Sequence, residues 1–213
     1  MKRRITALVL ILLLSAALSP AATLLIEKGI FVGLGLSGLR GSGLSNVWND
    51  KLGMLGGLAL TLSFNDYFAI QPEIYLVQKG AVNAVSGSGG TLRSTMDIGV
   101  LEIPILAKLS LPIGESAIRP YIIGGVSAGV KLWANLSTIL DDGSGYETQI
   151  SDATVTGMYS GSLSYVAGIG TDFRAPDSRI NAEIRYIRTM GSITKEGSAV
   201  HSGVLSLVIG YYF

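Results

Sequence analysis

Residues 205–213 read Leu205-Ser206-Leu207-Val208-Ile209-Gly210-Tyr211-Tyr212-Phe213, and every second one from Leu205 to Phe213 is large and apolar. A β-strand sends successive side chains to opposite faces. Leu205, Leu207, Ile209, Tyr211 and Phe213 therefore share one side, and Val204, Ser206, Val208, Gly210 and Tyr212 the other. The apolar side runs to its last aromatic with no polar cap. Water is a poor solvent for such a face, whereas lipid suits it, and an aromatic at its end fits the interfacial girdle of a membrane barrel. The stretch predicts a strand that closes a transmembrane β-barrel, and its five apolar residues form a candidate C-terminal assembly signal.

At the other end, Lys2, Arg3 and Arg4 precede an apolar run from Ala7 to Leu14 that continues to Leu18, followed by the small residues Ser19-Pro20-Ala21-Ala22. This is the pattern of a secretory signal peptide over residues 1–21, cut after Ala21 or Ala22, with the barrel domain over 22–213. A retained transmembrane anchor is the alternative, but the run is short for the roughly 20 residues a spanning helix needs.

The composition agrees with an exported membrane protein. Mean hydropathy is +0.48, yet no second apolar stretch of helix-spanning length follows. Only 15% of residues are charged, where about 25% is usual for soluble domains. Without Lys2, Arg3 and Arg4, the 16 basic residues fall to 13 against 15 acidic ones, a net charge of about −2. That balance gives no electrostatic case for nucleic acid. The absence of cysteine excludes disulfides and thiolate metal sites.

Alternating segments recur along the chain. Strands are predicted over residues 28–37, 51–64, 67–79, 94–111, 118–133, 159–173, 179–190 and after residue 199. Asn65-Asp66, residues 112–116 and residues 175–178 carry tight-turn chemistry, while Gly/Ser-rich or polar stretches over 38–50, 80–93, 134–158 and 191–199 read as long loops. Short turns alternating with long loops are the rhythm of an outer-membrane barrel. The predicted class is all-β: an eight-stranded antiparallel up-and-down transmembrane β-barrel in the outer membrane of a Gram-negative bacterium, both termini periplasmic.

Parity sorts the two faces. Ile70, Pro72, Ile74 and Leu76 oppose Gln71, Glu73, Tyr75 and Lys79; Ile184 and Tyr186 oppose Asn181, Glu183 and Arg185. A soluble sandwich or lipocalin would put the apolar face inside, and alternation alone does not separate the two. Export, low charge and the apolar last strand decide for lipid outside. Glu73, Glu102, Lys108, Lys131, Asp172, Glu183 and Arg185 then point into a lumen that eight strands leave just wide enough for side chains to fill. Charges there must pair, which predicts a structural salt-bridged plug rather than an ion path.

Three blocks carry a family resemblance: Gln71-Pro72-Glu73-Ile74-Tyr75 with Gln78-Lys79-Gly80, Leu101-Glu102-Ile103-Pro104-Ile105-Leu106-Ala107-Lys108, and Arg119-Pro120-Tyr121-Ile122-Ile123-Gly124-Gly125. Together with Gly33-Leu34-Gly35-Leu36-Ser37-Gly38 and the aromatic end, they resemble the PorT-like family of outer-membrane β-barrel domains. The resemblance implies an eight-stranded barrel without catalytic residues. The family's namesake is associated with a secretion pathway, a role not carried over.

Motifs for chemistry are sparse, and no catalytic, cofactor or metal site is predicted. Gly33-x-Gly35-x-x-Gly38 matches a dinucleotide fingerprint by letter but lacks the helix and βαβ setting that motif requires. Asp141-Asp142-Gly143 lacks the spaced oxygens of a calcium loop and reads as a surface turn. Asn135-Leu136-Ser137 spells a glycosylation acceptor that a bacterial setting makes uninformative. His201 is the only histidine, which raises a lipid-modifying barrel enzyme of acyl hydrolase type as the rival reading; a narrow pore is the third. Ser202 and Ser206 have the wrong parity to work with His201. Trp48 and Trp133 read as interface anchors. Expected partners are outer-membrane lipid and lipopolysaccharide, the barrel-assembly machinery during insertion, and an extracellular ligand held by the loops.

Overall fold

Nine strands account for the regular structure in the computed structural model, which describes residues 24–41, 48–87, 90–114, 116–144, 147–195 and 199–213. The signal-peptide reading of residues 1–21 lies outside the described residues. The strands are β1 (Leu25–Gly41), β2 (Asn49–Ser63), β3 (Phe68–Gly87), β4 (Gly90–Ser110), β5 (Ile118–Asp141), β6 (Glu147–Thr154), β7 (Gly161–Ala175), β8 (Ser178–Thr189) and β9 (Val200–Tyr212). Every pairing is antiparallel, and β1 bonds to both β2 and β9, so eight strands close into a ring. The remaining strand, β6, pairs with β5 alone.

The period of two that predicts the strands also sets their faces. Leu205, Leu207, Ile209, Tyr211 and Phe213 are exposed on the outer wall, while Val204, Val208 and Tyr212 are buried inside. On β2 the outward Met54 and Leu58 alternate with the inward Leu55, Ala59 and Thr61. This is an inside-out protein: the wall exposes Ile, Leu and Val, and the interior buries charged and polar side chains. A wall of that kind is stable only against hydrocarbon.

The short turns gather at the end of the barrel where β1 starts and β9 finishes. Asn65 Oδ1 accepts from the Tyr67 and Phe68 amides at 2.9 and 2.8 Å, closing the β2–β3 turn. Pro176-Asp177 joins β7 to β8 in a two-residue turn, with Ala175 paired to Ser178.

At the other end the structure departs from the sequence reading. Residues 80–93 and 134–158, expected as loops, are largely strand: β3 and β4 run on as a hairpin paired up to Gly87 and Gly90. Likewise β5 continues to Asp141 and returns as β6. Ala81, Ala134 and Met158 there are buried, but towards the hairpin tips both faces of the sheet are open, as at residues 84–87 and 147–154, and alternation gives no gain. The Asp141-Asp142-Gly143 turn sits at the tip of the β5–β6 hairpin. The Ser144 amide and hydroxyl both donate to Asp142 Oδ1 and hold its carboxyl below the usual carboxylate value.

Trp48 also departs from expectation. Rather than anchoring in the interface, it packs on the buried apolar cluster in the barrel mouth. The Trp133 ring lies across Gly99, where an added Cβ would strike it. A register shift between Gly99 and Val100 sits at this point.

Candidate functional site

The lumen is filled in layers. Nearest the chain ends, Lys108 Nζ donates to both Asp172 oxygens at 2.9 and 2.7 Å. Arg179 donates to Asp172 at 2.6 Å, to Glu27 at 3.2 Å and to Thr61 at 3.2 Å. Its guanidinium lies 3.7 Å from the Tyr212 ring centroid, and the Lys108 ammonium 3.8 Å from that of Tyr121. Both contacts place a cation on an aromatic face, which stabilises a desolvated charge.

The middle layer is built around Arg185, which is 1% exposed. Its two terminal nitrogens form a fork on Glu73 at 2.6 and 3.0 Å, and Nε donates to Glu183 at 2.6 Å. The second Glu183 oxygen accepts from the Tyr121 hydroxyl at 2.8 Å, and that hydroxyl accepts from Asn181 at 2.8 Å. Gln71 donates to Glu73 at 2.6 Å. A planar, permanently charged fork between two carboxylates is the geometry in which arginine outperforms lysine.

Above it, Lys79 donates to Glu102 at 2.6 Å, and the Ser127 hydroxyl caps the other Glu102 oxygen. Lys131, half-buried on the same side, makes no ion pair among the described residues. A cavity of about 30 Å³ lies between Lys79, Lys131, Met158 and Ser202, room for about one or two water molecules. Beyond it the chemistry turns apolar. Leu39, Ala81, Ile98, Ala134, Met158 and Val200 are buried together, with Trp48, Met96, Val155 and Ile193 packed on them. The segment that supplies Met158 is tied down by backbone bonds from Tyr159 to Ile193 and from Lys195 to Gly157. The far mouth is thereby plugged.

Of the residues singled out from sequence, Glu73, Glu183 and Arg185 meet in one cluster and Lys108 and Asp172 in another. Glu102 joins Lys79 instead, and Lys131 stands apart. Sequence reasoning missed Arg179, Glu27 and the supporting ring of Tyr121, and gave Tyr75, Lys79 and Tyr212 the inward face but no part in the charge network. The signal for Arg179 was present, because it shares parity with Asn181, Glu183 and Arg185. His201 sits on the outward side of β9, half-buried, whereas Ser202 and Ser206 are buried inside. No hydroxyl bonds to His201 among the described residues.

A closed eight-strand ring with a lipid-compatible wall and a charged, filled interior defines a transmembrane β-barrel of the outer membrane. The chain belongs to the family of the outer membrane protein beta-barrel domain, whose model matches residues 19–195. No protein of curated function matches it. Among solved structures, Neisserial surface protein A is 15% identical, covering 86% of this chain and 95% of its own, with a TM-score of 0.48. OprG from Pseudomonas aeruginosa is 16% identical over 88% of this chain and 94% of its own, with a TM-score of 0.45. The attachment invasion locus protein Ail of Yersinia pestis, solved with the heparin analogue sucrose octasulfate, is 17% identical over 88% and 99%, with a TM-score of 0.39.

Proposed function

We propose that this protein is a non-catalytic, non-conducting barrel with a structural or surface-interaction role, both termini facing the periplasm and the sheet of β3, β4, β5 and β6 standing outside the cell. The observation that carries the reading is the double closure of the lumen by ion-paired side chains and then by an apolar plug. A wall without a path through it leaves the projecting sheet as the working surface. That sheet ends in β6, whose eight residues are all exposed and whose outer edge is unpaired among the described residues. An edge of this kind bonds readily to an extended segment of a partner.

Six of the seven charged residues named from sequence, all but Lys131, serve in this reading with Arg179 and Lys79 to hold the barrel together, and Leu205 to Phe213 to direct assembly by the insertion machinery. Membership of the PorT-like branch rests on the three motif blocks, which supply Glu73, Glu102, Lys108 and Tyr121 to the lumen layers. The acyl hydrolase reading is disfavoured because the barrel wall separates His201 from Ser202 and Ser206. Affinity capture from crosslinked outer membranes tests the role: a reproducible surface partner lost on trimming β6 supports it. Ester hydrolysis abolished by His201→Ala would replace it.

A further inference from the structure

Lys131 is the member of the lumen charge set that the ion-paired layers leave over. Its register partner on β4 is Val100, which is buried in the apolar cluster inside the barrel, so the Lys131 side chain enters on that same side. Glu102, one layer below, has both oxygens engaged: Oε1 accepts from Lys79 at 2.6 Å and Oε2 from the Ser127 hydroxyl. Lys79, Lys131 and Glu102 together carry one net positive charge, and no other carboxylate pairs with either lysine among the described residues.

The cavity of about 30 Å³ that touches both lysines is surrounded by donors, and no Asp or Glu lines it among the described residues. Ser202, which lines it from β9, is 2% exposed, and its hydroxyl is buried without a hydrogen-bond partner. Ser162 lines it from β7. Its Oγ stands 2.7 Å from where a Cβ of Gly129 would be, so the glycine makes room for that hydroxyl, which also makes no hydrogen bond among the described residues. A buried hydroxyl without a partner costs free energy that a bound acceptor restores. Water would satisfy the two hydroxyls but leave the ammonium without a counterion, and a partly desolvated cation is stabilised by a charge of opposite sign held close to it.

Size and wall chemistry select the anion. The space holds about one or two water-sized particles, which admits a monatomic halide and shuts out a phosphate or sulfate with its four oxygens. The remaining walls include Val100, Met158 and Ile193, and an apolar wall penalises an ion in proportion to the hydration it must give up. Chloride and bromide are held by water less tightly than fluoride. We propose that Lys131, Ser202 and Ser162 bind a halide ion, chloride in the cell, in this cavity. The halide balances the one unpaired charge of this part of the lumen, and the site does not depend on which way the barrel faces in the membrane.

Bromide is the probe, and the full-length protein refolded in non-ionic detergent is the sample. Urea unfolding is followed as sodium bromide replaces sodium sulfate at fixed ionic strength, in wild type and in Lys131→Met, so that general salt effects cancel between the two. In sulfate alone the two should unfold alike. With bromide at about ten times its dissociation constant, the folded-to-unfolded ratio of wild type should have risen about tenfold relative to the variant. Ser202→Ala should move the same rise to several-fold higher bromide, and fluoride should produce none. Crystals of wild type grown in bromide locate the ion directly, by an anomalous bromine peak between Lys131 Nζ and Ser202 Oγ. The same bromide response in wild type and Lys131→Met, an equal rise with fluoride, or a map in which the cavity holds water alone would each overturn the proposal. A bromine peak with no bromide-dependent stability would mean binding at crystal concentration only, and would overturn it too.

Discussion

At the scale of single residues, the interior distinguishes charges that hold the fold from one that does not. Removing Arg185 leaves Glu73 and Glu183 facing each other without their cation. Arg185→Met is therefore expected to destabilise the barrel by about 3–5 kcal/mol, read as a lower midpoint for urea unfolding in micelles. Lys131 lacks an ion-pair partner among the described residues, so Lys131→Met should be close to neutral in the same assay without halide. Equal losses in the two variants would mean that these charges are held by solvent rather than by each other. Gly29 gives a second kind of test. A Cβ there would drive into the Tyr212 ring, on which Arg179 rests. Gly29→Val should therefore lower stability through the Arg179–Asp172 layer, and Tyr212→Leu in the same background should recover part of the loss. Much at this scale was legible in the sequence, because strand parity sets Glu73, Glu183 and Arg185 opposite the apolar face, and the low charge content and apolar last strand turn that face outward. Which charge meets which was not legible, since partners such as Arg185 and Glu73 sit 112 positions apart and alternation says nothing about register.

At the scale of elements, the turns near the chain ends could be read from Asn65-Asp66 and Pro176-Asp177, whereas the far halves of β3, β4 and β5 could not. In hydrocarbon one face must be apolar, and the pattern of two appears; beyond it both faces meet water, and the strands are specified by pairing alone. This changes how the projecting sheet is tested. Excising residues 134–158 would remove Ala134, Val155 and Met158 from the apolar plug and confuse loss of a contact surface with loss of the seal. Replacing residues 138–151 with a two-residue turn, at the Ser137–Asp152 pair, spares the plug. The shortened protein should keep the heat-dependent electrophoretic shift of a folded barrel while losing any β6-dependent partner. Loss of the shift would make the sheet part of the fold's support.

At the scale of the whole molecule, the buried acidic groups Glu73, Glu102, Asp172 and Glu183 are matched in number by the buried Lys79, Lys108, Arg179 and Arg185. An electroneutral interior sealed at one mouth by apolar side chains offers neither a polar path nor a selecting charge. Planar bilayers holding the purified protein should show no stable unit conductance in molar salt. Discrete, long-lived steps would contradict a filled lumen. The overall class was legible from composition and the last strand together, because the low charge content and an apolar face left without a soluble core admit few other folds.

Ring closure carries its own consequence. The seam joins β1 to β9, with Gly29 bonded opposite Tyr212, so the earliest and latest parts of the domain are neighbours. Until the final strand has crossed the inner membrane, β1 has only one of its two lateral partners, and no stable intermediate short of the complete chain satisfies its backbone. Such long-range pairing folds slowly. A chain that closes only with its last strand is expected to reach the membrane unfolded, and a stop codon even one strand early would leave an open edge instead of a smaller cylinder.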